Sequence, residues 1–274
     1  MTTQSTVETT RIGDHSRLRR LWKAEEPWAT VLIVHGLGEH SGRYERTGGL
    51  LAGAGITTSS FDLLGHGASE GTRCYVDEFS DYLDEVEEEL ELSRRGGLPV
   101  VLLGHSLGGL IALDYLTSGR PHPDYGVISA PALGGGKAWQ RLLAPKLGRF
   151  LPKFAIPTEI TAEQLSRDPA VGEAYFADPL VSQKTTARLG AELFAAGDRV
   201  RSNLGALSVP TLVIHGAADE LVPAAVSAPL QDLPGVERRL YPKLRHESLN
   251  EPDGPEVVGD IIDWLRAKVA EPAA

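Results

Sequence analysis

Short β-rich runs, several of them apolar, alternate with longer helical stretches along most of this chain. The runs 17–23, 30–34, 57–62, 100–103, 125–129, 211–215 and 237–241 read as strands. The first two read as an antiparallel hairpin feeding a sheet. Helices are predicted around Ala52 and over 76–94, 107–117, 224–231 and 255–269. In the second of these, Leu83, Val86 and Leu90 recur at helical spacing and predict a buried stripe. The acids around them (Asp84, Glu85, Glu87, Glu88, Glu89 and Glu91) read as a solvated face. Strands alternating with helices predict a mostly parallel, doubly wound α/β sheet covered on both faces.

Between 132 and 207 the rhythm breaks. No strand signal is visible there, and the stretch is rich in glycine, proline, leucine and phenylalanine. An insertion at this point of a doubly wound sheet lies over the carboxyl ends of the strands, where ligands bind. The expected division is therefore a core over 1–131, a helical cap over 132–207, and the rest of the core over 208–274.

Composition narrows the class. The chain has 274 residues, 42% of them hydrophobic and 23% charged, as in a globular protein with a substantial core. A formal charge of −10 disfavours nucleic acid as a partner. A single cysteine, Cys74, forms no internal disulfide and reads as a passive thiol in a reducing compartment. The polar start carries no signal-peptide core, and no apolar run nears the roughly 20 residues that span a bilayer. A soluble, cytoplasmic protein is expected.

The chemistry is concentrated in Gly104-His105-Ser106-Leu107-Gly108, directly behind the buried run 99–103 and ahead of a helix. Strand, Gly-x-Ser-x-Gly and helix together make the nucleophile elbow of an α/β-hydrolase, a fold with a helical cap insertion. Serine is a weak nucleophile and needs a base oriented by a third group. The fold expects Ser, then an acid, then His, each after a strand. Asp219 follows the run 211–215 and His246 follows the run 237–241, so Ser106, Asp219 and His246 form the expected triad. Glu220 is the rival acid and reads as outward-pointing. His105 is adjacent to Ser106 and cannot reach back to it, while His35 and His215 read as structural. Oxyanion donors are expected from the backbone N–H groups of Leu107 and of Leu37, in His35-Gly36-Leu37-Gly38. His35-x-x-x-Glu39-His40 has the wrong spacing for zinc, and Gly134-Gly135-Gly136-Lys137 is not a phosphate loop. No metal and no cofactor are expected.

Several segments resemble the monoacylglycerol lipase family. They are the stretch from His35 to Tyr44, Asp62-x-x-Gly65-His66-Gly67-x-Ser69-x-Gly71, and the elbow with Gly109. In the insertion they are Leu165-Ser166-Arg167-Asp168-Pro169 and Ala174-Tyr175-x-x-Asp178-Pro179-Leu180, and after the histidine Asn250-Glu251-Pro252. The resemblance implies a serine hydrolase that cleaves a monoacylglycerol to glycerol and fatty acid, with a lysophospholipase or broad carboxylesterase as the alternative. It places Glu39, Arg43 and Tyr175 at the glycerol end of the site. Glu39 and Arg43 read equally well as a loop-fixing ion pair, and Tyr175 as packing. Leu63 and Leu107 depart from the family's usual residues; the second leaves the backbone donor intact.

The stretch 133–158 carries Lys137, Arg141, Lys146, Arg149 and Lys153 and no acid, interleaved with Trp139, Leu142, Leu143, Leu147, Phe150, Leu151 and Phe154. Mixed basic and apolar positions on a helix read as a surface for a lipid interface, hence peripheral membrane contact through the cap. The competing expectation is that these apolar residues pack the cap onto the body.

Overall fold

A computed structural model describes residues 3–12, 15–134 and 138–270. The chain forms β1 (Thr6–Ile12), β2 (His15–Trp22), β3 (Ala29–Val34), α1 (Glu45–Gly53), β4 (Ile56–Phe61), α2 (Ser80–Arg94), β5 (Val100–His105), α3 (Leu107–Leu116) and β6 (Tyr125–Ser129). An insertion follows, with α4 (Ala138–Phe150), β7 (Ala155–Pro157), α5 (Ala162–Leu165), α6 (Pro169–Ala177), β8 (Lys184–Thr186) and α7 (Ala187–Asn203). The sheet then resumes with β9 (Thr211–Gly216) and β10 (Val236–Tyr241), and α8 (Gly254–Ala270) follows.

Eight strands lie in the order β1-β2-β4-β3-β5-β6-β9-β10, all parallel from β4 to β10. The chain leaves β3 for β4 on one side and returns to β5 on the other, so the sheet's switch point lies between β3 and β5. Loops at the carboxyl ends of these two strands open onto the crevice where such sheets bind ligands. Successive residues of the central strands point to opposite faces. Leu32, Val34, Leu102, Ile128 and Val213 pack with α2 and α3 on one side. Val31, Ile33, Val101, Leu103, Val127, Leu212 and Ile214 pack with α1 and α8 on the other. This double alternation is why the strands read as continuous apolar runs.

The structure corrects four expectations. The hairpin is β1 with β2, because β4 lies between β2 and β3 and pairs with both. β1 escaped notice because its sequence, Thr-Val-Glu-Thr-Thr-Arg-Ile, is polar and lies at a sheet edge. The insertion contains two short strands, β7 and β8, paired antiparallel. The predicted helix over 224–231 is a 3₁₀ stretch with Pro229 inside it, where an α-helical N–H is missing. Finally, the acids of α2 are not all solvated. Glu89 is fully buried between Arg19 (2.8 Å) and Arg17 (3.4 Å), and Glu85 lies 2.7 Å from Arg17. These pairs tie α2 to β2.

Cys74 is buried, and burial pushes its thiol up. Gly135, Gly136 and Lys137, part of the glycine run and the basic stretch, lie outside the described residues. Among the described residues no helix is long and apolar enough to cross a membrane.

Removing Glu89 takes away the one fully buried carboxylate that Arg17 and Arg19 share, leaving Arg17 to Glu85 and Arg19 to the exposed Glu8. Glu89→Ala is expected to destabilise the protein by about 3–5 kcal/mol in urea unfolding. A loss under about 1 kcal/mol, as for an exposed pair, would contradict the buried arrangement.

Candidate active site

Ser106 occupies the turn between β5 and α3 with φ 54° and ψ −113°, a conformation that a residue with a side chain adopts only under constraint. The constraint is steric and hydrogen-bonded. A Cβ on Gly108 would collide with the Val34 and His35 carbonyls, and one on Gly104 with the Gly108 backbone. The Ser106 N–H donates to Ser129 O at 3.0 Å, and Ser106 O accepts from Ala132 N at 3.0 Å. Leu107 opens α3, so its N–H belongs to the group of helix-start donors that have no partner within the helix.

Asp219 and His246 meet where β9 and β10 end. The His246 Nδ1–H donates to Asp219 Oδ2 at 2.8 Å. Asp219 also accepts from His215 Nε2 (3.2 Å) and from the backbone N–H groups of Leu221 (2.9 Å) and Val222 (2.8 Å). Burial pushes this carboxyl up, but the hydrogen bonds from His215 and His246 outweigh it and hold it well below the usual carboxylate range. An ionised Asp219 requires the proton of a neutral His246 on Nδ1, which leaves Nε2 as the free base. Glu220 is exposed, as expected of the rival acid. His105 turns away from the serine, its Nδ1 3.1 Å from Ser129 Oγ and its ring 4.8 Å from that of His246. Burial and the neighbouring His246 push His105 down to about 4, so it stays neutral near pH 7.

Ser106, Leu107 and His246 line one cavity of about 430 Å³ with Leu37, Glu39, Arg43 and Tyr175. The loop after β3 closes in on the serine: a Cβ on Gly36 would lie 3.3 Å from that of Ser106. Glu39 Oε1 accepts from the Gly36 N–H (2.5 Å) and from Tyr44 Oη (2.8 Å), and Glu39 Oε2 lies 2.7 Å from Arg43 Nη1. Burial alone would raise the Glu39 carboxyl; Arg43, aided by His105, His35 and the Gly36 N–H, holds it down at about 2. The Arg43 guanidinium lies 4.8 Å from the centre of the Tyr175 ring. The Tyr175 hydroxyl is buried in the same cavity without a hydrogen-bond partner among the described residues. The rest of the wall is mostly aliphatic and aromatic, including Leu143 and Leu147 of α4 and Leu193 and Phe194 of α7.

All eight expected site residues thus fall together. Sequence reasoning missed His215 as a second partner of Asp219, and Glu247, whose two oxygens take both terminal nitrogens of Arg43 (2.6 and 2.8 Å). Position alone, one residue after the expected base, was the available signal for Glu247. Among the described residues no group of side chains is arranged to hold a metal ion.

The sheet and its elbow define an α/β-hydrolase. Residues 25–253 match the family described as serine aminopeptidase, S33. A monoacylglycerol lipase of Mycolicibacterium smegmatis is 34% identical over 253 residues, 88% of this chain and 89% of that protein. A Bacillus subtilis protein named phospholipase YtpA is 31% identical, over 86% of this chain and 94% of its own. A crystal structure of the Paleococcus ferrophilus monoacylglycerol lipase superposes with a TM-score of 0.84 at 29% identity, covering 93% of this chain and 99% of that one. The chain belongs to the serine aminopeptidase S33 family and, within it, to the monoacylglycerol lipase family.

A carboxyl held at about 2 when folded and titrating near 4.5 when unfolded stabilises the fold above pH 4.5, and that contribution is lost as pH falls towards 2. Glu39→Gln should therefore flatten the acid limb of the stability–pH curve between about pH 4.5 and 2 in urea titrations. An acid limb as steep as wild type would refute the assignment.

Proposed function

We propose that this chain hydrolyses the ester bond of a monoacylglycerol through an acyl-enzyme, with Ser106 as nucleophile, His246 as base and Asp219 as the group that orients it. The observation that carries the reading is one cavity that Ser106 and His246 line together with a mostly apolar wall and the polar side chains of Glu39, Arg43 and Tyr175. That division matches an amphiphile with one acyl chain and one small alcohol. The names of the relatives support the same substrate class.

His246 Nε2 takes the proton of Ser106 as its oxygen adds to the ester carbonyl. The Leu37 and Leu107 N–H groups receive the oxyanion, each contributing about 3 kcal/mol in the transition state. The intermediate collapses, the C–O bond to glycerol breaks, and His246 returns the proton to the departing alcohol. Water then adds to the acyl-enzyme with His246 again as base, and the fatty acid leaves as Ser106 recovers its proton. Asp219 fixes the tautomer throughout and stabilises the imidazolium. Each buried methylene contributes roughly 0.8 kcal/mol, so the acyl wall supplies most of the affinity. Segment 132–207 works as the cap that provides this wall.

Glycerol release from a monoacylglycerol, with lysophosphatidylcholine and diacylglycerol in parallel, tests the substrate. Turnover of the monoacylglycerol well above the others, lost in Ser106→Ala together with fluorophosphonate labelling, is expected. Equal turnover of lysophosphatidylcholine would instead favour the phospholipase reading that the Bacillus subtilis relative's name suggests.

The cap is also proposed to dock on an anionic lipid surface. Trp139, Leu142, Phe150, Leu151 and Phe154 are each more than half exposed, which argues against their packing the cap onto the body. Arg141, Lys146, Arg149 and Lys153 lie on the same stretch. Changing Lys137, Arg141 and Lys146 to Glu should reduce sedimentation with phosphatidylglycerol vesicles about 10-fold or more, since each surface cation contributes about 1 kcal/mol. Sedimentation equal to wild type would sink the docking proposal.

A further inference from the structure

Arg43 stands between two carboxylates that belong to different loops of the site. Glu39, in the loop after β3, lies 2.7 Å from Arg43 Nη1. Glu247, next to His246, takes Nη1 at 2.6 Å and Nη2 at 2.8 Å in a two-pronged pair. All three side chains are at least nine-tenths buried. Glu247 Oε2 also accepts from Asn250 Nδ2 at 2.9 Å, which fixes the carboxylate from behind. The other end of the chain is Glu39 Oε1, which accepts the Gly36 N–H at 2.5 Å, one residue before Leu37. An unbroken path of charge-assisted hydrogen bonds therefore joins the histidine loop to the turn that carries an oxyanion donor.

The occupancy of these groups decides between two roles. Each carboxylate accepts three hydrogen bonds from the protein itself. A substrate hydroxyl would have to compete for them. The Tyr175 hydroxyl, by contrast, is buried in the cavity with no partner among the described residues, and is the group left free to meet an alcohol. Bidentate pairing also gives Arg43 an orientation that a single point charge would not.

We propose that Glu247 is a positioning residue: through Arg43 and Glu39 it holds the Leu37 turn in register with the loop that carries His246. This rests on the roles proposed above for Leu37 and His246. Register matters because the oxyanion donor and the base must address the same reacting carbonyl, and a displacement of about 1 Å can cost about 100-fold in rate.

Glu247→Gln keeps the side chain's size and removes its charge. Its kinetics would be measured on a monoacylglycerol and on the 4-nitrophenyl ester of the same acid, which carries no glycerol. A positioning role predicts that kcat falls by a similar factor on both, about 10- to 100-fold, with KM within about 2-fold. Fluorophosphonate labelling should slow in parallel yet still reach completion. Glu39→Gln should add little to Glu247→Gln in the double variant, since both act through Arg43. A loss confined to the monoacylglycerol would overturn the proposal and make Glu247 a headgroup contact, and unchanged kcat on both would overturn it outright. If Glu247→Gln does not fold, Arg43→Lys, which keeps the charge and loses the fork, must show the same loss on both esters. The nitrophenyl ester and fluorophosphonate arms need no glycerol, so they test the clamp even if the monoacylglycerol reading fails.

Discussion

The close approach of the start of α3 to the end of β3 is the constraint from which the rest of the site follows. With no side chain at Gly108, the helix backbone abuts the Val34 and His35 carbonyls. The connecting residue, Ser106, must then turn through φ 54°. Strain of this kind costs on the order of 1–3 kcal/mol and persists only where the surroundings over-determine it. Here β5 lies between β3 and β6 in the sheet, and the turn is hydrogen-bonded to Ser129 and Ala132. The same approach brings the first N–H groups of α3 beside the loop after β3. Serine, helix-start donor and loop donor therefore share one small volume because the sheet's switch point leaves them no other.

Buried carboxylates are what hold the surrounding loops in place. Residues at the ends of parallel strands leave backbone N–H groups with no strand to bond to, and burial makes each of these costly unless it is satisfied. Asp62 takes the Ser41 and Ala68 N–H groups, Asp219 those of Leu221 and Val222, and Glu39 that of Gly36. Glu251 accepts from the Arg167 and Arg245 N–H groups, which joins the insertion to the histidine loop. An ionised oxygen accepts a stronger hydrogen bond than a neutral one, so several such bonds offset the desolvation of the charge. Some of these carboxylates hold their own loop, as Asp219 and Glu39 do, and others join distant segments, as Asp62 does with Ser41 and Glu251 with Arg167. Glu247 belongs to this group, and its partner Arg43 lies on the opposite side of the switch point.

What could be read from the sequence was whatever depends on neighbours in the chain. The run 99–103 followed by Gly-x-Ser-x-Gly located both strand and elbow, because two glycines two residues either side of a serine answer a local steric demand. Asp219 and His246 were legible for a related reason: each follows a run that reads as a strand, the first apolar and buried, the second a partly exposed strand at the sheet edge. β1 was invisible since an edge strand needs no apolar alternation, and pairing with β2 stabilises a threonine-rich sequence as well as any other. Glu85 and Glu89 looked like their solvated neighbours because burial of an acid depends on Arg17 and Arg19, some 70 residues away. Glu247 was missed for that reason too, its partner Arg43 lying 204 residues away. Long-range charge pairing leaves no periodic trace.

Under the proposed function, the polar end of the cavity would gain its selectivity from this rigidity more than from attraction. A hydrogen bond to a glycerol hydroxyl contributes about 1 kcal/mol net, roughly what one or two methylenes supply at the other end. Attraction of that size separates alcohols poorly. A wall that cannot move separates them well, because a second acyl chain or a phosphate must displace side chains that are already fully bonded to one another. Arg43 cannot swing aside without leaving Glu39 and Glu247 as two buried charges without their counter-ion, a cost of several kcal/mol. Discrimination by clash, on the proposed reading, draws on the same buried pairs that are proposed to position the loops. A single device, a guanidinium held from two sides, can set both the geometry of the reaction and the size of the alcohol that leaves.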